Sequence, residues 1–156
     1  MTDHAIRAGE LFHKGYNCAQ AVFVAFSDVT GIDEKTALKL SSSFGGGMGR
    51  MREVCGAVSG AFMVLGVLYG YCDLDDENKK EHYAMIREAA DSFREKNGSI
   101  ICRELLAGVV KDTSNDPEKR TEEYYKKRPC REYVEIAAEI VDHYILEKGL
   151  PDEDKI

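Results

Sequence analysis

Five cysteines are spread along this chain of 156 residues, and the sequence predicts that four of them begin helices. Cys18 follows Asn17, a favourable N-cap, and Cys102 lies three positions after the candidate cap Ser99. A helix N-terminus presents unpaired N–H groups and the positive end of the helix dipole, and both stabilise a thiolate relative to a thiol. Thiolate chemistry is therefore the first hypothesis for the candidate catalytic residues, which are Cys18, Cys55, Cys102 and Cys130.

Two kinds of chemistry are open to these cysteines. The sequence has no C-x-x-C pair, so it carries neither a zinc ribbon nor a ferredoxin-type cluster motif. Four dispersed cysteines can still converge in a helical fold, where they would bind an iron–sulfur cluster or another metal, or cycle between dithiol and disulfide. Because Arg50 and Arg52 lie close to Cys55 in the sequence, we expect them to lower its pKa and to make it the most reactive thiol. Cys72 lies near the end of the same predicted helix and is expected to be structural.

Helices must position these residues. Apolar side chains recur with helical spacing along nearly the whole chain, and no alternating strand pattern competes with them. We predict an all-α fold in one domain over residues 1–156, with 146–156 as an acidic tail. The domain is expected to be a compact bundle of about six or seven helices around a buried, glycine-containing central helix, Val54–Tyr71. Cys18–Val29, Ser99–Leu106 and Pro129–Lys148 are predicted to carry the other cysteines of the set.

A glycine-rich loop precedes the central helix. A loop of this kind at a helix N-terminus suits an anion, although it lacks the Lys-Ser/Thr ending of a P-loop. We expect the loop to let a cofactor or substrate reach Cys55, and we expect Cys18 and Cys55 to share a crevice beneath it. The alternative is a non-catalytic helical module that holds a small anionic ligand at Gly45–Gly49, with the cysteines merely packed. The candidate cofactor-binding residues are Gly45, Gly46, Gly47, Met48, Gly49, Arg50 and Gly56.

Charge and hydropathy exclude several classes of partner. The net charge is −7, whereas nucleic acid and anionic membranes need a basic face, so neither is expected as the main partner. We interpret the basic tract Lys126–Arg128 as a solvated helix end. The stretch Val54–Cys72 carries no charge, but its glycines dilute its hydropathy and favour a buried helix over a membrane span. The N-terminus lacks the apolar core of a signal peptide, so a cytoplasmic protein is expected.

The order of several motifs resembles the C_GCAxxG_C_C family, whose members are described as redox-active proteins. The resemblance covers about residues 5–146, and it implies that Cys18, Cys55, Cys102 and Cys130 are the four cysteines of the family, with Cys72 outside the set. It leaves open the cofactor and whether the protein is an enzyme. The motifs that carry the resemblance are Gly15-Tyr16-Asn17-Cys18-Ala19-Gln20-Ala21-Val22, Phe44-Gly45-Gly46-Gly47-Met48-Gly49, Cys55-Gly56-Ala57-Val58-Ser59-Gly60 and the single Cys102 and Cys130.

Two expectations concern partners. The resemblance implies association with an oxidoreductase or a transporter. A homodimer is also open, because helical surfaces rich in tyrosine suit an interface. The tyrosines that suggest it are Tyr124, Tyr125, Tyr133 and Tyr144.

Overall fold

The regular secondary structure of the chain is helical in a computed structural model, which describes residues 1–156 apart from the side chain of Lys155. Two 3₁₀ turns, Ser42–Phe44 and Glu153–Lys155, accompany the α-helices. The nine α-helices within the described residues are α1 (Asp3–Lys14), α2 (Cys18–Ala25), α3 (Ser27–Thr30), α4 (Glu34–Ser41), α5 (Gly56–Tyr69), α6 (Asp76–Asn97), α7 (Cys102–Leu105), α8 (Glu122–Lys127) and α9 (Cys130–Lys148).

The predicted all-α class is confirmed, and no strand is present in the part of the chain that the structure describes. The described residues form nine α-helices rather than the expected six or seven. Three of the nine are short, since α3 and α7 have only 4 residues each and α8 has 6. The predicted helix Cys18–Val29 is divided because Phe26, with φ −99° and ψ 18°, leaves the helical conformation. Residues 146–148, which the sequence placed in the tail, belong to α9.

Helix α5 lies against α2 and α9, with α3 and α6 also in contact. Every residue of α5 is buried or half-buried, as the apolar run predicted. The helix covers 14 residues rather than the whole of Val54–Tyr71, since it starts only after Cys55 and ends where Gly70 adopts an extended conformation. None of the helices in the described residues is long and apolar enough to cross a membrane.

The contact between α2 and α5 depends on a glycine. A Cβ atom added to Gly60 would lie 2.8 Å from the carbonyl oxygen of Ala19 and 3.0 Å from the Cβ of Val22. The carbonyl belongs to the backbone of a buried helix, so it cannot move aside without moving that helix. Gly60 therefore sets how closely α5 approaches the helix that begins with Cys18.

We expect Gly60→Ala to destabilise the protein by about 1–3 kcal/mol through overpacking. Gly66→Ala is the matched control in the same helix, because a Cβ there meets no atom within 4 Å. That change should leave the free energy of unfolding equal or raise it by up to about 1 kcal/mol, since alanine favours a helix more than glycine does. Urea unfolding followed by circular dichroism measures both. Equal effects of the two substitutions would contradict this account of the α2–α5 contact.

A half-buried histidine connects three helices. His4 on α1 forms hydrogen bonds through Nδ1 with Asp142 on α9 (2.6 Å) and through Nε2 with Asp28 on α3 (3.1 Å). Its ring stacks on Phe26 with 4.1 Å between the ring centroids. The hydrogen bond with Asp142 raises the pKa of His4 above its ordinary value of 6.5, and the bond with Asp28 adds to this against the opposing effect of burial. The protonated form thus stabilises the fold.

Because the pKa of His4 is raised in the folded protein, its stabilisation is complete below about pH 6.5 and is lost as the pH rises through the folded value. We expect His4→Gln to lower the free energy of unfolding by about 1 kcal/mol near pH 6 and by less near pH 8.5. His143→Gln, at an exposed histidine of α9, is the control. The test is chemical unfolding at both pH values, and a larger loss at the higher pH would contradict the prediction.

Candidate thiol site

The structure brings all four predicted cysteines to one cavity. Cys18, Cys55, Cys102 and Cys130 line a small space of about 50 Å³, which we call the thiol cavity. Gly46, Gly47 and Gly56, three of the predicted cofactor-binding residues, also line it. A space of this size holds only a few atoms.

A second cavity opens beside the thiol cavity. It measures about 210 Å³, and we call it the vestibule. Gly45 and Arg50, also predicted to bind a cofactor, line the vestibule, whereas Met48 and Gly49 line neither space. The residues shared by the two spaces are Asn17, Gly46, Arg52, Arg120, Tyr124 and Arg128. The vestibule is therefore the direct neighbour of the thiols.

Helix starts position the cysteines, as the sequence predicted. Cys18, Cys102 and Cys130 are the first residues of α2, α7 and α9, and Cys55 is the N-cap of α5. The start of α2 is fixed by a capping box, in which Asn17 Oδ1 accepts from the N–H of Gln20 (2.9 Å) and Gln20 Oε1 accepts from the N–H of Asn17 (3.1 Å). The cavity therefore lies at the positive ends of several helix dipoles.

A short antiparallel pairing that the sequence did not predict joins two of the cysteines. The N–H of Cys55 donates to the carbonyl of Ile100 (2.8 Å), and the N–H of Cys102 donates to the carbonyl of Glu53 (2.6 Å). Val54 and Ile101 form the bridge between the two segments. Because side chains alternate along extended backbone, residues 55 and 102 point to the same face. This pairing brings together the starts of α5 and α7.

Cys18 and Cys130 are the two cysteines of the thiol cavity whose thiols influence each other most strongly. Hydrogen bonding by the Cys18 thiol lowers the pKa of Cys130 despite its burial. The charges of Arg128, Arg120 and Arg52 lower the pKa of Cys130 further. The same hydrogen bond, together with burial, raises the pKa of Cys18 well above its ordinary value. The pair therefore releases its first proton readily and retains its second.

The expectation that Arg50 and Arg52 lower the pKa of Cys55 is wrong. Burial raises the pKa of Cys55 from its ordinary 9.0 to about 12, although the N–H groups of Ala57 and Val58 at the start of α5 oppose the shift. That rise corresponds to roughly 4 kcal/mol, whereas a helix N-terminus supplies about 0.3–2 kcal/mol, so burial dominates. Burial also raises the pKa of Cys102.

Arginines that the sequence did not assign to the site surround the thiols. Arg52 Nη1 donates to the sulfur of Cys102 at 3.8 Å, and only 7% of Arg52 is exposed. Arg128 is buried rather than solvated, which corrects the interpretation of the Lys126–Arg128 tract. Its Nη2 lies 2.6 Å from Glu118 Oε1. The only sequence signal for Arg128 was its position before Pro129 and Cys130, where the chain turns into α9.

Tyr124 separates two of these arginines. The guanidinium carbons of Arg128 and Arg120 lie 4.4 Å and 4.7 Å from the centre of its ring. The half-buried Tyr125 donates to the carbonyl of His13, while Tyr133 and the buried Tyr144 donate to backbone carbonyls on other segments. These four tyrosines pack within the protein, so their presence no longer favours a homodimer interface.

The glycine-rich loop winds in the left-handed direction over the thiol cavity. Gly46, Gly47 and Gly49 have positive φ, and so do Met48 and Arg50, for which this conformation is unfavourable. The N–H groups from Met48 to Glu53 all donate to backbone carbonyls of residues 43–48. These N–H groups therefore close the loop on itself and are not free to hold an anion.

Gly47 fits this loop around Cys102. An added Cβ would lie 2.6 Å from the Cβ of Cys102 and 2.8 Å from the Cα of Arg52. At Gly49, where φ is also positive, an added Cβ meets no atom within 4 Å. Any residue other than glycine would therefore be strained by the backbone conformation at both positions. Only at Gly47 would its Cβ atom also collide with neighbouring atoms.

We expect Gly47→Ala to lower the free energy of unfolding by about 1–3 kcal/mol more than Gly49→Ala does. The difference isolates the contact with Cys102 and Arg52 from the cost of positive φ, which both variants share. Urea unfolding measures it. If the two variants lose equal stability, the loop does not pack on Cys102 as described.

Two further predictions concern the role of Cys72 and the binding of a metal. All five cysteines are free thiols, and Cys72 is exposed in the connection after α5 rather than packed as a structural residue. Within the described residues, no group of three or more His, Cys, Asp or Glu side chains is arranged to hold a metal ion. Metal ligation by Cys18, Cys55, Cys102 and Cys130 stays a prediction.

A family model described as "Putative redox-active protein (C_GCAxxG_C_C)" matches residues 16–144. The matched range includes all four cysteines of the thiol cavity. No curated protein and no solved structure matches the chain.

Proposed function

This chain belongs to the C_GCAxxG_C_C family, and on that premise we propose that it is a thiol–disulfide redox protein whose reactive pair is Cys18 and Cys130. The observation that carries the proposal is that these two cysteines begin the contacting helices α2 and α9 and line the same small cavity, where the Cys18 thiol lowers the pKa of Cys130. Because both side chains line one cavity of about 50 Å³, the two sulfurs can meet in an S–S bond of about 2 Å.

Cys130 is the nucleophile in this proposal, because Cys18 and the nearby arginines stabilise its thiolate. The thiolate attacks one sulfur of a disulfide-containing substrate. A bond from Cys130 to that sulfur forms, the substrate's S–S bond breaks, and the other sulfur leaves as a thiolate.

Cys18 then resolves the mixed disulfide. Its sulfur attacks Cys130, its proton passes to the second departing thiolate, and the Cys18–Cys130 disulfide forms. The substrate gains two electrons and the protein loses two. The same steps in reverse reduce the protein again.

Cys55 and Cys102 stay protonated in this mechanism. Burial raises the pKa of both, so neither competes with Cys130 as a nucleophile at neutral pH. They line the thiol cavity and keep it small and poor in water.

The proposal predicts different effects for two substitutions of Cys18. Cys18→Ala removes the donor and should slow the alkylation of Cys130 at about pH 7 by roughly tenfold, because the pKa of Cys130 rises when the Cys18 thiol no longer lowers it. Cys18→Ser keeps a donor and should leave that rate within about threefold of the unsubstituted protein, yet form no intramolecular disulfide. Iodoacetamide labelling followed by peptide mass spectrometry measures both properties.

Cys72→Ala is the control, since Cys72 is exposed and outside the thiol cavity. It should change neither the labelling of Cys130 nor the disulfide. Iron and zinc are measured on the same protein after purification without oxygen. A disulfide between any other two cysteines, or a stoichiometric metal that masks Cys18 and Cys130, would contradict the proposal.

A further inference from the structure

The vestibule concentrates positive charge in a chain whose net charge is −7. Four arginines line it, Arg50, Arg52, Arg120 and Arg128, together with a single carboxylate, Glu118. Glu118 is engaged with Arg128, and Asp112 Oδ2 lies 3.7 Å from Arg50 Nη2. Positive charge therefore exceeds negative charge around this space, even with Asp112 included.

Two of the arginines have buried N–H groups that form no hydrogen bond in the described part of the chain, although Asp112 lies at ion-pair distance from Arg50. Within the described residues, Nη1 and Nη2 of Arg50 and Nε of Arg52 are buried and form no hydrogen bond. Arg52 is also more than nine-tenths buried and lines both the vestibule and the thiol cavity. Buried donors of a charged group are costly when unsatisfied, so these N–H groups favour an anionic acceptor.

The backbone is strained where these arginines lie. Arg50 has φ 64° and Arg52 has φ 59°, a conformation that is unfavourable for any residue other than glycine. Such strain persists where the surrounding structure enforces it and is concentrated at functional sites. Here it places both side chains at the opening of the thiol cavity.

The other two arginines are held rigidly. Arg120 donates to the carbonyls of Phe12 (3.2 Å) and Tyr16 (3.1 Å), and Arg128 is held by Glu118. Arg120 and Arg128 therefore contribute a fixed positive field, while Arg50 and Arg52 offer donors that are free to bind.

Size limits what can bind. Sites for drug-sized ligands measure about 300–1,000 Å³, whereas the vestibule measures about 210 Å³ and the thiol cavity about 50 Å³. A peptide disulfide exceeds this space. A compact anion fits it, with its charged end at the arginines and a few atoms in reach of the thiols.

We propose that the substrate of the thiol pair is a small sulfur oxyanion, whose oxyanion group binds Arg50 and Arg52 in the vestibule while its divalent sulfur enters the thiol cavity. This inference rests on the proposed function of Cys18 and Cys130. Tetrathionate serves as the probe, because it carries two sulfonate ends and a central S–S bond.

The reaction with tetrathionate balances. The Cys130 thiolate bonds to one central sulfur of tetrathionate, the central S–S bond breaks, and thiosulfate leaves with the electron pair. Cys18 then attacks the sulfur of Cys130, releasing a second thiosulfate and one proton. The products are the Cys18–Cys130 disulfide and two thiosulfate ions, so tetrathionate gains the two electrons that the thiols lose.

The test measures how fast tetrathionate and the neutral hydroxyethyl disulfide oxidise the reduced protein. The result is expressed as the rate with tetrathionate divided by the rate with hydroxyethyl disulfide. Arg50→Gln should lower this ratio by about tenfold or more, since it removes the charge that only the anion uses. Arg94→Gln, at an exposed arginine of α6, removes the same charge elsewhere and should leave the ratio unchanged. Sulfate, which cannot oxidise thiols, should slow tetrathionate and spare the neutral disulfide.

Two results would overturn the inference in distinguishable ways. If both disulfide-containing probes form the Cys18–Cys130 disulfide but the ratio is the same in Arg50→Gln and sulfate has no effect, the vestibule does not bind the substrate, and the thiol pair stands. If neither probe forms that disulfide in the unsubstituted protein, the proposed function fails and this inference fails with it. A general loss of stability or thiol reactivity in Arg50→Gln would slow both reactions alike. It would therefore leave the ratio of the two rates unchanged and could not be mistaken for the expected result.

Discussion

Several helix N-termini meet at one buried point, and this concentration of positive potential constrains everything around it. Helices α2, α5 and α9 direct the positive ends of their dipoles towards the thiol cavity, and Arg52 and Arg128 add full charges. Without negative charge nearby, such an arrangement would repel itself in a medium of low dielectric constant. In the proposed function a thiolate of Cys130 supplies that charge, because Cys18 and the arginines lower the pKa of this thiol.

Close packing is what allows the helix ends to meet. Gly60 lets α5 lie against Ala19, and Gly56 lets the start of α5 approach Cys18, since a Cβ there would lie 3.1 Å from the Cβ of Cys18. The left-handed loop fills the remaining side, with Gly47 against Cys102. Gly47, Gly56 and Gly60 thus have a spatial reason, because each occupies a place where a side chain would push two cysteine-bearing segments apart.

The sequence was sufficient for the fold class and for the placement of cysteines at helix starts, because helical periodicity and capping residues are local signals. It also supported a shared crevice for Cys18 and Cys55, through the glycine-rich loop between their helices. It could not show which thiols form a pair, since Cys18 and Cys130 are distant in the chain and only the packing of α2 against α9 joins them.

The pKa of Cys55 was mispredicted for a physical reason. The neighbouring arginines and the helix start predicted a low pKa for Cys55, and both are visible in the sequence. Burial also determines the pKa, and it is not visible in the sequence. Burial of Cys55 outweighs both. The burial of Arg128 was missed in the same way, because a basic tract before α9 resembles a solvated surface until Glu118 and Tyr124 are seen to cover it.

The positive potential also links the two proposals. When the Cys18–Cys130 disulfide forms, the thiolate charge disappears while the helix dipoles and the arginines remain. The oxidised protein therefore has a stronger attraction for an anion in the vestibule than the reduced protein has. By thermodynamic reciprocity, an anion bound there favours oxidation of the pair to the same extent. A sulfur oxyanion would thus both deliver the oxidising sulfur and stabilise the product state, and its thiosulfate product would be released more readily once the thiolate is restored.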